Sequence, residues 1–370
     1  MKRALTDKIE LIQKRLIHFE DLAPDASKFE NDTQEEAEKK GFFSRDFGME
    51  QWDWPQGVGI YGLSIGSENY SDYIVQWAKK EISKGLPTKN VNTMCPMLTL
   101  SDFPEFESLA IEWMEWIESS FPRTDEHGLQ HITSGVDKFT VKENHQQIWA
   151  DTLFMTILFM AKMGVKYQNK QWIESSAYQV LTHIKYLLDR ETGLFYHGWN
   201  FEDKSNYGGN FWCRGNSWLT IGLPLYLKIV GDAIPEFVRT FIQQSYENQV
   251  KTLIELRADD HLWHTLLDDK TSYTETSGSA GIIAGILLGI NSNLLSVTVS
   301  DDFLEESIEA ILSRVDETGV VHGVSAGTAI SSEKVDYKGI LQTPMVYGQS
   351  MVLLALEAYM TYLTKGKEND

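Results

Sequence analysis

Apolar residues recur along this chain at three- and four-residue intervals far more often than at every second position. The stretches Tyr70–Gly85, Phe106–Phe121, Gln171–Asp189, Pro235–Leu256, Asp301–Val315 and Gly348–Leu363 each carry that helical period over several turns. Three others, Pro55–Leu63, Gly215–Leu225 and Gly278–Ile290, are apolar or small on most faces. Such composition suits helices crowded on every side. Alternating strand patterns bounded by turn residues are scarce. About a dozen helices are predicted on this template, so the chain is all-α.

A second pattern lies between the helices. DEHGLQH ending at His131, ETGLFYH at His197, ADDHLWH at His264 and DETGVVH at His322 share acidic residues, an apolar pair or triplet and a histidine. They recur at intervals of about 60–70 residues, enough for two helices and their connections. The repeating unit is therefore an αα-hairpin, and the chain accommodates six. Six hairpins closed in a ring predict an (α/α)6 barrel, a six-hairpin toroid with loops converging on one mouth. Residues 1–370 are then a single domain. Within it, residues 1–45 supply an N-terminal helix, with Ile9, Leu11, Ile12, Leu16 and Ile17 as a rough stripe, and the polar stretch Phe29–Gly41 as a loop or weak helix.

Charge narrows the function classes. With 53 acidic against 33 basic residues the net charge is -20, which argues against nucleic acid or an anionic membrane as partner. A small anionic substrate needs only one local cation. The two cysteines, Cys95 and Cys213, fit no metal or redox spacing, and no apolar run approaches a membrane span. A soluble, cytoplasmic protein without cofactor or metal is expected. The glycines of GVGIYG, Gly57 to Gly62, follow no strand and fit close helix packing better than a dinucleotide site.

Two places carry candidate chemistry. Asp151 stands between Trp149 and the apolar run TLFMTILFMAKMG. As a helix N-cap it would accept a bond from a first-turn amide; as a functional acid in a barrel mouth it would have its pKa raised by desolvation above about 3.9. The stretch HQQIWA before it reads equally as the helix's first turns. Tyr196–Trp218 is the densest polar-aromatic cluster, combining His197, Trp199, Trp212, Arg214, Asn216 and Trp218. Indole faces suit sugar C–H groups, while Arg and Asn suit hydroxyls or a carboxylate. His131 shares the repeat position of His197; His264 and His322 read as structural.

Seven motifs, WDWPQGVGIYGL, VNTMCPMLTL, GLQH, QIWADTLFMT, FYHGWNF, WCRGNSW and TPMVYGQ, together resemble glycoside hydrolase family 105, the unsaturated rhamnogalacturonyl hydrolases. Family 88, the unsaturated glucuronyl hydrolases, is a more distant resemblance. The resemblance runs from Trp52 to Gln349 and implies the same barrel. It implies an exo-acting hydrolase that releases a Δ4,5-unsaturated uronic acid from the non-reducing end of short, lyase-generated oligosaccharides. By the motif, Asp151 is the general acid and then base, acting on a vinyl ether, so one carboxylate suffices where ordinary glycosidases use two. Asn92, His131, Trp149, His197, Trp212, Arg214 and Trp218 fall on or beside the sugar site. Three departures bear on substrate preference: Ala150 where an acid often precedes Asp151, Asn92 where some relatives carry aspartate, and the long segment Ile132–Ala150. A second enzyme class on the same barrel, an epimerase of the N-acylglucosamine 2-epimerase type, would use all four repeat histidines. A binding protein would use Asp151 only as a cap.

Overall fold

The computed structural model describes residues 2–19, 22, 29–66 and 68–366. The polar stretch Phe29–Gly41 lies within the described residues. Among these, helix dominates. In chain order come α1 (Lys2–Ile17), α2 (Gln34–Lys39), α3 (Trp54–Ser64), α4 (Ser71–Ser83), α5 (Val91–Leu100), α6 (Glu107–Ser119) and α7 (Leu158–Lys166). The second half adds α8 (Lys170–Leu187), α9 (Cys213–Val230), α10 (Glu236–Glu255), α11 (Thr276–Asn291), α12 (Asp301–Leu312), α13 (Lys334–Lys338) and α14 (Val346–Gly366). Strand among the described residues is confined to two antiparallel pairs, β1 (Thr133–Ser134) with β2 (Val141–Lys142) and β3 (Gln147–Trp149) with β4 (Gly198–Asn200).

The long helices are of two kinds, and sequence composition separates them. In α12 the buried positions Leu304, Ser307, Ile308 and Ile311 form one stripe. In α11 every residue from Thr276 to Leu287 is buried. The second kind packs in sequence: α3 on α5, α5 on α7, α7 on α9, α9 on α11, α11 on α14, and α14 back on α3. The striped helices lie against these. Thus α4 touches α3 and α5, α6 touches α5 and α7, α8 touches α7, α10 touches α9, and α12 touches α11 and α14. The N-terminal helix joins the same set by packing on α14, and buries Leu5, Ile9, Ile12 and Leu16. Leu11 and Ile17 of the expected stripe stay partly exposed.

The glycines of α3 show why that segment tolerates so little side chain. A Cβ on Gly57 would meet the Pro96 nitrogen of α5 at 2.7 Å, and one on Gly62 would meet Ser350 Cβ of α14 at 2.8 Å. Close approach on two sides, not nucleotide binding, explains GVGIYG.

The four repeated loops are tight turns at the ends of α6, α8, α10 and α12. Each reverses through one left-handed residue: His127 (φ 56°), Gly193 (φ 75°), His261 (φ 64°) and Gly319 (φ 86°). Two positions on, the N–H of Leu129, Phe195, Trp263 and Val321 donates to Gln179 Oε1, Asn216 Oδ1, Ser279 Oγ and Gln349 Oε1 at 2.8, 2.8, 2.8 and 2.6 Å. The histidines, however, are not equivalent. His131 and His197 follow the left-handed residue by four positions, His264 and His322 by three. Extended backbone alternates its faces, so one residue's difference turns the side chain to the other side. His131 and His197 are accordingly buried, at 2% exposure each. His264 is only partly buried, against the Ser272 carbonyl, and His322 is exposed and paired with Asp316 at 2.8 Å.

Candidate active site

The motifs around Asp151 and His197 meet because β3 and β4 pair. Gln147 faces Asn200, Ile148 faces Trp199 and Trp149 faces Gly198, and the Ala150 N–H extends the ladder to the His197 carbonyl at 2.9 Å. Glycine is required at 198: a Cβ there would meet the Ile148 carbonyl oxygen at 2.9 Å and Trp149 Cδ1 at 3.0 Å. HQQIWA is therefore not the first turn of a helix, as it could have been. Three residues of it are strand, held by a partner that comes only after α7 and α8 in the chain.

Asp151 stands where that strand turns into helix. Its carbonyl accepts the Met155 N–H at 3.0 Å, and the following residues, Leu153–Ile157, form a π-helical turn before α7 begins. Such widened turns recur at functional sites. The side chain makes no N-cap bond to the turn beyond it, and Oδ2 has no hydrogen-bond partner. The cap reading thus loses its geometry. The side chain is 18% exposed, towards a cleft of about 430 Å3. Burial raises the pKa of Asp151 to about 6, against the smaller lowering effects of the Arg214 charge, its own backbone N–H and the Trp218 indole N–H. A carboxyl so placed keeps its proton up to about pH 6, well above an ordinary aspartate and within the range of a general acid.

Behind it lies a row of rings. His131 stacks on Trp149 with centroids 4.2 Å apart, Trp149 meets the edge of His197 at 5.2 Å, and His197 leans on Trp212 at 4.3 Å. His197 Nε2 comes within 3.7 Å of Asp151 Oδ2, too far for a hydrogen bond. Its Nδ1 lies 2.8 Å from the Tyr337 hydroxyl, which also accepts the Ser331 N–H at 3.3 Å. With that lone pair used, the phenol's own proton is free for Nδ1. His197 then carries its hydrogen on Nε2, towards Asp151. Desolvation, then the Arg214 charge, lowers the His197 pKa to about 3, so the ring is neutral. Desolvation also pushes His131 well down, and its Nδ1 sits 2.9 Å from Thr152 Oγ1.

Six of the eight residues singled out from sequence line the cleft: Asn92, His131, Trp149, Asp151, Trp212 and Arg214. The other two do not. His197 and Trp218 are buried behind Asp151, at 2% and 0% exposure, and act on the carboxyl from the rear. Asn92 sits in the first turn of α5, whose cap Asn90 accepts its backbone N–H at 2.9 Å; among the described residues its side-chain amide makes no hydrogen bond. Arg214 differs from expectation in a second way. Its Nη1 donates to the Ser325 carbonyl at 2.9 Å and to the Ser325 hydroxyl, and its Nη2 to the Ala326 carbonyl at 2.8 Å and Thr328 Oγ1 at 3.1 Å. The guanidinium is sandwiched between Trp212 (4.7 Å) and Tyr347 (4.9 Å). It clamps the strap Ser325–Thr328 and lends the cleft charge, with its Nη hydrogens already committed.

Other groups in the wall were not singled out as site residues from the sequence. Trp54 stacks on Tyr347 at 4.5 Å. Arg45 donates to the Ser134 carbonyl at 2.8 Å and to the Gly135 carbonyl, anchoring the β1–β2 hairpin beside the opening. That hairpin is the long segment noted in the sequence, and Thr133, Gly135, Val136 and Lys142 face the cleft. Asp46, next to Arg45, is a second buried acid of the same cleft. The polar stretch around Gln34 and Glu38 is helical from Gln34 to Lys39 and reaches the rim. No group of three or more His, Cys, Asp or Glu among the described residues is arranged to hold a metal. No described helix is long and apolar enough to cross a membrane.

A mostly helical frame around a cleft with a raised carboxyl suits a glycoside hydrolase, and comparison with known proteins agrees. The family model of Glycosyl Hydrolase Family 88 matches residues 26–363. The unsaturated rhamnogalacturonyl hydrolase YesR of Bacillus subtilis (strain 168) is 30% identical over 329 residues, covering 86% of this chain and 91% of that protein. A solved structure from Salmonella enterica serovar Paratyphi A, described as a possible member of family 105, is 32% identical with a TM-score of 0.86, covering 98% of this chain and 95% of the other. One from Klebsiella pneumoniae, described likewise, is 34% identical with a TM-score of 0.84, covering 98% and 94%. The chain belongs to Glycosyl Hydrolase Family 88 and, with these relatives, to the family 105 unsaturated rhamnogalacturonyl hydrolases that its motifs resemble.

Proposed function

We propose that this enzyme removes a Δ4,5-unsaturated uronic acid, galacturonic or glucuronic in type, from the non-reducing end of short oligosaccharides, with Asp151 as the only proton-transferring residue. The observation that carries this reading is the Asp151 carboxyl itself: open to the cleft, unpaired at Oδ2 and raised to about 6 by burial. The protonated carboxyl gives its proton to C4 of the vinyl ether, and positive charge develops at C5 and the ring oxygen. The resulting carboxylate takes a proton from water as the water oxygen bonds to C5. The C5 hemiketal opens to a ketone, and C1, left as an open hemiacetal, releases the leaving sugar's hydroxyl. His197, neutral, lies behind the carboxyl and does not compete for its proton.

The surrounding frame is read as an (α/α)6 barrel in one domain. Its inner ring is α3, α5, α7, α9, α11 and α14; its outer ring is α4, α6, α8, α10, α12 and α1, the N-terminal helix being the sixth outer member. The neighbour-to-neighbour packing that returns from α14 to α3 supports this. The epimerase alternative has less to stand on, because His264 and His322 do not line the cleft.

The test uses the ultraviolet absorbance of the conjugated double bond. Unsaturated rhamnogalacturonan, glycosaminoglycan and ulvan disaccharides are each incubated with wild type and Asp151→Asn. The wild type should bleach at least one, and Asp151→Asn should be slower by about 10²–10⁴-fold, the usual weight of a general acid–base group. An unchanged rate in Asp151→Asn would remove the acid from the scheme.

A further inference from the structure

The mechanism leaves one carboxyl of the cleft without a task. Asp46 ends the short turn Ser44–Asp46, lines the same cleft as Asp151 and is 3% exposed. Nearby Asp53 is buried to the same degree but fully occupied. Its Oδ1 accepts the Trp54 N–H at 2.8 Å, its Oδ2 accepts the Ser134 hydroxyl at 2.5 Å, and Arg45 Nε lies 3.6 Å away. The Asp46 carboxyl has no hydrogen-bond partner among the described residues. A strap of chain leaves it room: a Cβ on Gly327 would come within 2.7 Å of Asp46 Oδ2. That strap is the one Arg214 clamps through Ser325, Ala326 and Thr328.

A uronide brings a carboxylate into the cleft, and a desolvated carboxylate needs hydrogen-bond donors as well as charge. Of the two arginines of the wall, buried Arg214 has committed its Nη hydrogens, and partly buried Arg45 has given one hydrogen of each Nη to a backbone carbonyl. Arg214 holds the strap and Arg45 holds the Ser134 and Gly135 carbonyls. We propose that Asp46, as the neutral acid, donates its proton in a hydrogen bond to the carboxylate of the bound uronide, making it a specificity-determining residue of this cleft. An O–H···O⁻ bond of this kind is among the stronger hydrogen bonds.

Burial supports the protonation state by pushing the Asp46 pKa to about 8. The groups that face it come from several elements. Arg45 on its own turn and Arg214 of α9 pull the pKa down, Asp53 before α3 and Glu38 of α2 push it up, and Tyr347 of α14 stays protonated beside it. The assignment rests on the unsaturated-uronide reading above.

Steady-state kinetics on an unsaturated disaccharide between about pH 6 and 9, with wild type, Asp46→Asn and Asp46→Ala, tests it. In the wild type KM should climb as pH passes about 8, where the donor becomes a repelling anion. Asp46→Ala should raise KM about tenfold at neutral pH, carried in KM more than kcat. Asp46→Asn, whose amide still donates, should rescue most of that loss and abolish the alkaline climb. A wild-type KM in Asp46→Ala, or an alkaline climb that survives in Asp46→Asn, overturns the proposal. If Asp46→Ala does not fold, the Asn profile decides alone. Wild type that turns over no unsaturated substrate would sink the reading of the site instead. Calorimetric titration of galacturonate and glucuronate into wild type and Asp46→Asn across the same pH range then judges Asp46 separately, an identical pH dependence of Kd overturning it.

Discussion

Two aspartates of one cleft are tuned by the same cause to different values. Burial lifts Asp151 to about 6 and Asp46 to about 8, and Arg214 restrains both. In the proposed mechanism the acid form of Asp151 starts the reaction, so kcat/KM should fall as pH rises through about 6, read from a pH–rate profile of the free enzyme. Stability follows its own sign. Asp46 binds its proton more tightly folded than unfolded, so its contribution is fully present below the unfolded value of about 3.9 and is lost as pH rises towards about 8. Asp46→Asn should therefore melt increasingly above wild type as pH rises through that window, and a constant difference in Tm would contradict the buried-acid account. The two acids also differ in how far the sequence betrays them. Asp151 lies between Trp149 and a long apolar run, and its neighbours alone single it out. Asp46 sits in FFSRDFG, whose pattern says nothing, because its surroundings come from Gly327 and Arg214, far along the chain.

Secondary structure was legible wherever one element decided its own form. The striped helices α4, α6, α8, α10 and α12 fall within the stretches that helical spacing marks, and the all-apolar segments became α3, α9 and α11. The strand pair β3–β4 was not legible, since three residues on each side are strand only because they have each other. The repeat was legible as a turn but misleading in its histidines, which are displaced by one position between the first two copies and the last two. Asn216 shows how an element reaches the site without touching it. Its side chain accepts the Phe195 N–H and donates to the Phe195 carbonyl, each at 2.8 Å, fixing the turn that presents His197. Asn216→Ala leaves those buried groups unpaired and should cost about 1–3 kcal/mol in chemical denaturation. It should also lower kcat through a less ordered His197. Gly57→Ala, with only 2.7 Å between its Cβ and the α5 backbone, should overpack the contact by about 1–3 kcal/mol.

At the scale of the whole molecule, the cycle of packed helices puts residues from distant parts of the chain around one cleft: Asp46 and Trp54, Asn92, the β1–β2 hairpin, Asp151, Trp212 and Thr328. On a protein of net charge -20, Arg45, Lys142 and Arg214 are the cations that line this cleft, enough for a single small anion. The N-terminal helix belongs to the same frame, since it packs on α14 and buries four aliphatic side chains. Removing residues 2–17 should lower Tm and expose that face, detectable by increased binding of a hydrophobic dye; an unchanged melt would show the helix to be an appendage.

The central claim is that the glycosidic bond breaks because a proton is delivered to C4 of the double bond. Turnover in D2O, with the released uronic acid analysed by NMR and mass spectrometry, tests this directly. The account predicts deuterium bonded at C4 of a product that has lost its C4=C5 bond, formed by wild type and not by Asp151→Asn. Release of the leaving sugar with the double bond intact and C4 free of deuterium would contradict it.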